Sequence, residues 1–367
     1  FRRSTSNTLD YTIVRGRIPI HSIDVGYMAA PGIGYIKISH FAENTFAEFS
    51  DALEKLLRQG ASKLILDLRG NPGGYLNAAI QIADEFLPKE KLVVYTEGRA
   101  RSREDYFATD KGEFEKGDVV ILIDEGSASA SEIVSGALQD WDRATLVGRR
   151  SFGKGLVQEQ SELADGSAIR LTVARYYTPT GRSIQKPYGE DYASYENELF
   201  ERLHRGELIS ADSIRFADSL KYTTPGGKVV YGGGGIMPDV FVPIDTDGTA
   251  GFYAEVSRSG LITQYAYDYL DKHRSTFEDF GSFDSFNTGF TFDEPAFSEF
   301  VDYARAQGVT TDEGLVSARS IIANQIKALI ARQLWNNAGF YPVIHTDDKA
   351  FHAALDLLNG KRVAMKK

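Results

Sequence analysis

The sequence predicts an α/β fold: a layered core of alternating strands and helices, followed by a helical C-terminal region. Three observations carry that expectation. Short apolar runs of the buried parallel-strand type recur at Lys63–Asp67, Val119–Ile123 and Ala144–Gly148. Segments with helical spacing of apolar residues lie between them, which is the pattern of layered α/β proteins. From about Asp245 the strand-like runs give way to long helical patterns.

Taken in order, residues 24–38 read as two strands around Ala30-Pro31-Gly32, with Ile36 and Ile38 alternating with Tyr35 and Lys37. Phe46, Phe49, Leu53, Leu56 and Leu57 fall on one face of a helix. The strand 63–67 runs into a Gly-rich turn ending at Gly74, and an amphipathic helix is expected over Asn77–Leu87. The strand 119–123 leads into the small-residue turn Gly126–Ser131 and a helix to about Gln139, before the next strand at Ala144–Gly148. Residues 168–177 predict a long strand. A polar stretch then reads as an insertion, 188–225, before strand-like runs at Lys228–Tyr231 and Val240–Val242 return to the core within 226–245. Helical patterns at 258–273, 294–307, 312–338 and 347–358, interrupted by a Phe- and Gly-rich loop at 276–292, define a helical domain over 246–367.

Bulk properties narrow the function. A chain of 367 residues exceeds what one core usually fills. No apolar run reaches the about 18 to 20 residues that span a bilayer. A net charge of -10 without a basic stripe argues against a nucleic-acid partner. The absence of cysteine excludes disulfides, thiolate metal sites and a cysteine nucleophile. The histidines at 21, 40, 204, 273, 345 and 352 form no close pair of the kind zinc enzymes use, and no G-x-S-x-G elbow marks a Ser-His-Asp hydrolase.

Two residues remain with chemistry to offer. Ser129 lies in a turn between a buried strand and a helix, beside the free N–H groups of the helix start, where a developing oxyanion is welcome. Ser127, Ser129 and Ser131 suit helix capping equally well. Lys154 sits in the glycine-flanked segment Ser151–Gln158, where partial burial would suit it to act as a base and Gln158 to hold it; a solvated loop lysine is the alternative. Gly148–Lys154 also fits the start of a phosphate-binding loop, but Gly155 stands where the magnesium-binding hydroxyl belongs and a strand-like run follows.

Four ordered blocks, Leu66–Gly74, Glu125–Asp140, Ser151–Gln158 and Arg175–Arg182, closely resemble the C-terminal processing (tail-specific) peptidases, serine peptidases with a Ser-Lys dyad. The resemblance spans about residues 9–187 and resumes at Gly232–Asp239. It implies a crotonase/ClpP-like peptidase core over 21–187. It makes Ser129 the nucleophile, Lys154, 25 residues later, the general base, and Gln158 its partner. The oxyanion hole is assigned to the backbone amides of Ala130 and Gly74. No cofactor or metal is implied. The expected substrates are proteins or peptides with accessible C-termini, the expected location is the periplasm or cell envelope of a bacterium, and the C-terminal domain is expected to mediate self-association. Family members usually carry a PDZ domain before the core, so residues 1–20 are expected to be the linker from a missing one. The alternative is a non-catalytic or latent scaffold of the same fold that binds partners through its helical domain.

Overall fold

The computed structural model describes residues 10–16, 20–188, 195, 197–246 and 248–361, so the expected linker falls largely outside the described residues. In chain order the first part forms β1 (Ile23–Ala30), β2 (Ile33–Ile38), α1 (Thr45–Arg58), β3 (Lys63–Asp67), α2 (Leu76–Asp84), β4 (Leu92–Gly98), β5 (Arg101–Phe107), β6 (Asp118–Ile123), α3 (Ala130–Asp140) and β7 (Ala144–Gly148). It continues with β8 (Leu156–Glu162), β9 (Ala168–Tyr177), α4 (Glu198–His204), β10 (Lys221–Thr223), β11 (Val229–Tyr231) and β12 (Val240–Phe241).

A six-stranded sheet in the order β1-β2-β3-β6-β7-β12 forms the centre. Only the β1–β2 hairpin is antiparallel; β2, β3, β6, β7 and β12 run parallel. Parallel strands end at the same edge, so the turns after β3, β6 and β7 gather there. In open α/β sheets that carboxyl edge is where ligands bind.

Both faces of the sheet are covered, as parallel strands require. Leu64, Leu66, Ile121 and Leu146 pack against Phe49, Ile82 and other residues of α1, α2 and α3. On the opposite face Ile65, Val120, Leu122 and Val147 meet Phe351, Ala354 and Leu358 of a helix from the far end of the chain. The apolar–polar alternation of β2 therefore does not mark a solvent face: all six residues are buried, and Lys37, 9% exposed, places its ammonium 3.2 Å from Asp67.

A second sheet, β5-β4-β9-β8, flanks the carboxyl edge. Sequence reasoning did not register β4 and β5, because β5 (Arg-Ser-Arg-Glu-Asp-Tyr-Phe) is almost wholly exposed and carries no apolar pattern. The strand at 229–231 pairs with β10 rather than with the core, which only β12 rejoins.

The C-terminal part consists of α5 (Phe252–Arg258), α6 (Leu261–Lys272), α7 (Arg274–Glu278), α8 (Phe283–Gly289), α9 (Glu294–Ala306), α10 (Leu315–Ile344) and α11 (Lys349–Leu358). The expected loop at 276–292 is instead partly helical. Its aromatics are core rather than linker, with Phe277 and Phe286 buried against Phe300, Ile322 and Ile326. Helix α10 is broken at Trp335 and Asn336, the latter at φ 54°. Among the described residues no helix is long and apolar enough to cross a membrane.

Candidate active site

Three turns meet at the carboxyl edge of the sheet. The first follows β3. Asp67 anchors it: burial alone would raise this carboxyl, yet Arg69 and Lys37 hold it well below the usual carboxylate range. Arg69 reaches Asp67 at 2.6 Å and Asp348, the capping residue of α11, at 2.7 Å. The turn then closes on two glycines that nothing else could replace. A Cβ on Gly73 would lie 2.7 Å from the Ser129 Cβ and 2.8 Å from the Ala130 nitrogen, and one on Gly74, at φ 149°, would lie 1.9 Å from the Phe41 carbonyl oxygen. The missing side chains bring the turn's backbone against Ser129. The Gly73 N–H is committed to Asn71 Oδ1 at 2.9 Å, which leaves the Gly74 amide as the candidate donor toward the cleft.

The second turn carries the serine run, and here the three serines separate. Ser127 donates to the Leu68 carbonyl at 2.8 Å and Ser131 to the Asn71 carbonyl at 3.0 Å; both are fully buried fasteners to the first turn. Ser129 faces the cleft instead. Its backbone, φ 55° and ψ −112°, occupies a region that turns normally reserve for glycine, a conformation costing on the order of 1–3 kcal/mol. Such strain persists only where the surroundings enforce it. Ala130 follows as the first residue of α3, whose opening N–H groups have no partner within the helix.

The third turn, after β7, bears Lys154, and a single carboxylate ties it to the second. Glu132, wholly buried in the first turn of α3, accepts hydrogen bonds from the N–H of Ser129 (2.9 Å), the N–H of Gly153 (2.7 Å), the N–H of Lys154 (2.9 Å) and the hydroxyl of Ser151 (2.5 Å). Burial pushes its carboxyl up from the usual value, against the pull of these four donors. Tyr176, on β9, supplies the complementary bracket. Its hydroxyl lies 3.0 Å from the Ser129 carbonyl oxygen and also contacts that of Lys154. Burial, with Glu132 nearby, pushes this hydroxyl well above its ordinary value, so it remains a neutral donor. One acid therefore holds the amides of Ser129 and Lys154, and one phenol spans their carbonyls.

Between the turns opens a cleft of about 620 Å³, lined by Gly73, Gly74, Ser129, Ala130, Lys154 and Gln158 among others. All five residues singled out from the sequence, Ser129, Lys154, Gln158, Gly74 and Ala130, thus face one space. They are not all in contact: among the described residues no hydrogen bond joins the Ser129 hydroxyl, the Lys154 side-chain nitrogen and the Gln158 amide, and Gln158 is exposed on β8. Lys154 is half-buried. A serine hydroxyl at a helix start, a glycine amide opposite and an amine in the same cleft can together support acyl transfer. No cluster of three His, Asp or Glu among the described residues offers a metal site.

Sequence reasoning missed Glu132 and Tyr176. Both stand inside the motif blocks, three residues after Ser129 and one after Arg175, but neither residue type at that spacing announces a clamp. The turn from Gly148 is followed by β8, a strand, so no helix is present to cradle a phosphate.

Residues 32–192 match the profile of peptidase family S41, and residues 252–336 match a family of unknown function, DUF8443. The carboxyl-terminal-processing protease of Synechocystis sp. is 41% identical over 201 residues, 54% of this chain and 45% of that protein. The carboxy-terminal processing protease CtpA of Bacillus subtilis is 38% identical over 184 residues, 50% of this chain and 39% of that protein. Among solved structures, a photosystem II D1 C-terminal processing protease superposes with a TM-score of 0.42 at 33% identity, covering 47% of each chain. The chain spans less than half the length of each of these relatives. The match to the peptidase family S41 profile, residues 32–192, spans the stretch that builds the three turns and the cleft.

Proposed function

We propose that the chain is a serine endopeptidase that cuts proteins near their C-terminus by a Ser-Lys mechanism. Neutral Lys154 takes the proton of Ser129 as the hydroxyl oxygen attacks the scissile carbonyl. The amides of Ala130 and Gly74 receive the oxyanion, and Gln158 orients the amine. Lys154 passes the proton to the leaving nitrogen, and water, deprotonated in turn, hydrolyses the acyl-enzyme. The observation that carries this reading is the Glu132 carboxylate, which binds the backbone amides of both Ser129 and Lys154 and so fixes nucleophile and base on one frame beside an open cleft.

The names of these relatives, processing proteases acting at carboxyl termini in bacteria, favour substrates with an accessible C-terminal tail, and we place the chain in the periplasm or cell envelope of a bacterium. The helical domain is assigned to self-association. Cleavage of fluorescein-labelled casein tests the core of the proposal: Ser129→Ala and Lys154→Ala should each reduce kcat by about a thousandfold or more. Full activity in either variant overturns it. Comparing a substrate with a free tail against the same tail capped by a folded domain tests the end preference.

The missing hydrogen bond between the Ser129 hydroxyl and Lys154 favours a second reading, a latent form of the same site, since free-enzyme contacts tighten on binding. Fluorophosphonate labelling of Ser129 that accelerates when a tail peptide is added distinguishes this from a dead scaffold, which stays unlabelled.

A further inference from the structure

The stretch 188–225 reads as a polar excursion and lies almost wholly beyond the S41 match, which ends at residue 192. It nonetheless buries several side chains in the molecule, Arg202 among them. Arg202 of α4 is 1% exposed. Its Nε donates to Glu198 at 2.6 Å, its Nη1 to the Ser151 carbonyl at 2.7 Å and its Nη2 to the Phe152 carbonyl at 3.1 Å.

These carbonyls belong to the turn that bears Lys154. The peptide unit between Phe152 and Gly153 has its C=O on the Arg202 guanidinium and its N–H on the Glu132 carboxylate, at 2.7 Å. Its dipole therefore runs from a fixed anion to a fixed cation, immediately before Lys154. The need for such a device is local. Gly153, at φ 89°, and Gly155 flank the lysine, and glycines impose little conformational preference of their own. A second cation braces the same turn: Lys186 Nζ stands 4.0 Å from the centre of the Phe152 ring and 3.3 Å from Glu198. A buried guanidinium is costly to desolvate unless its donors are matched. Here two of the matching acceptors are turn carbonyls, so the guanidinium stays buried only while the turn keeps this shape.

We propose that Arg202 is a positioning residue for the base: the inserted helix grips the Lys154 turn from the side opposite Glu132 and sets the direction in which the amine enters the cleft. This rests on the peptidase reading above. It makes the insertion part of the catalytic apparatus although Arg202 does not line the cleft.

The test uses the full chain with Arg202→Gln, Arg202→Lys, Glu198→Gln and Ser129→Ala, assayed on labelled casein for kcat and KM and by the rate at which a fluorophosphonate labels Ser129, with circular dichroism to establish folding. Arg202→Gln should lower kcat and the labelling rate about 10- to 100-fold, the scale of a misplaced catalytic group, with KM within about threefold because the cleft lining is untouched. Arg202→Lys, able to reach one carbonyl, should recover part of the loss. A folded Arg202→Gln with kcat within twofold of the parent, a loss expressed mainly in KM, or no recovery with Lys overturns the proposal. Should Arg202→Gln fail to fold, Glu198→Gln decides: it leaves the guanidinium in place but loosens its anchor, and an unchanged kcat overturns the proposal. A parent chain no faster than Ser129→Ala overturns the peptidase reading and this one with it, whereas an active parent matched by an equally active Arg202→Gln overturns this one alone.

Discussion

The segment 32–192 and the residues beyond it contribute to the same sheet edge in different ways. In the first, the groups that shape the cleft come in short runs: Gly73 and Gly74 in one turn, Ser129 and Glu132 at one helix start, Ser151 to Lys154 in another turn. In the second, single polar side chains reach back from unremarkable sequence. Arg202 reaches carbonyls of the base turn, Asp348 reaches Arg69, and His345 shares a hydrogen bond with Tyr27 at 2.7 Å amid the rings of Tyr35 and Phe351. A site of this kind is built twice, once by contiguous motifs that create its backbone shape and once by scattered residues that hold the shape.

If that division is right, its core half fails hardest. Glu132→Ala leaves the Ser129, Gly153 and Lys154 amides without their acceptor. At about 1–3 kcal/mol for each unsatisfied buried donor, the expected loss is about 3 kcal/mol or more, read by urea unfolding, together with loss of casein cleavage. A change below about 1 kcal/mol would mean that water replaces the carboxylate and that the turns are held elsewhere.

The outlying half has a pH signature. Burial lowers the His345 pKa from 6.5 to about 4, with Asp348, Asp67, Arg69 and Lys37 as the charged neighbours. The unfolded chain therefore takes up the proton first as pH falls. Stability from this group is complete above pH 6.5 and is lost progressively toward pH 4, by about 3 kcal/mol. Urea unfolding at pH 7 and pH 4.5 should show this decline, and His345→Gln should flatten it. Parallel pH dependences in the two proteins would remove His345 from the account.

The smallest effect concerns strain. Because Ser129 sits at φ 55°, Ser129→Gly should be more stable than Ser129→Ala by about 1 kcal/mol, both being inactive. Equal melting temperatures would show the turn relaxing around alanine.

The motif half of the molecule was legible in the sequence because its chemistry is local. Apolar runs marked the parallel strands, and the glycine and serine turns between them marked where the cleft would open. Residue chemistry alone could not tell Ser127 and Ser131 from Ser129, which only the family resemblance singled out; in the fold, hydrogen bonds to the Leu68 and Asn71 carbonyls set the other two apart. Strand β5 escaped notice because its pairing to β4 is a backbone matter that its charged side chains do not advertise. The aromatics at 276–292 looked like a loop because two short helices carry no sustained period. Arg202 and Tyr176 are ordinary residues until the chain is folded; nothing about an arginine in a charged helix says that it will be buried.

One feature of the sheet bears on how the molecule is made. Its second face, with Ile65, Val120, Leu122 and Val147, is packed against α11, residues 349–358. Synthesis proceeds from the N-terminus, so the strands are complete long before their cover exists. Throughout that interval a growing chain carries an open apolar surface, the kind that chaperones hold and that drives aggregation. A ribosome that stops short of α11 releases a protein with its cleft motifs intact and its sheet half bare, and such a product is marked for quality control by that surface.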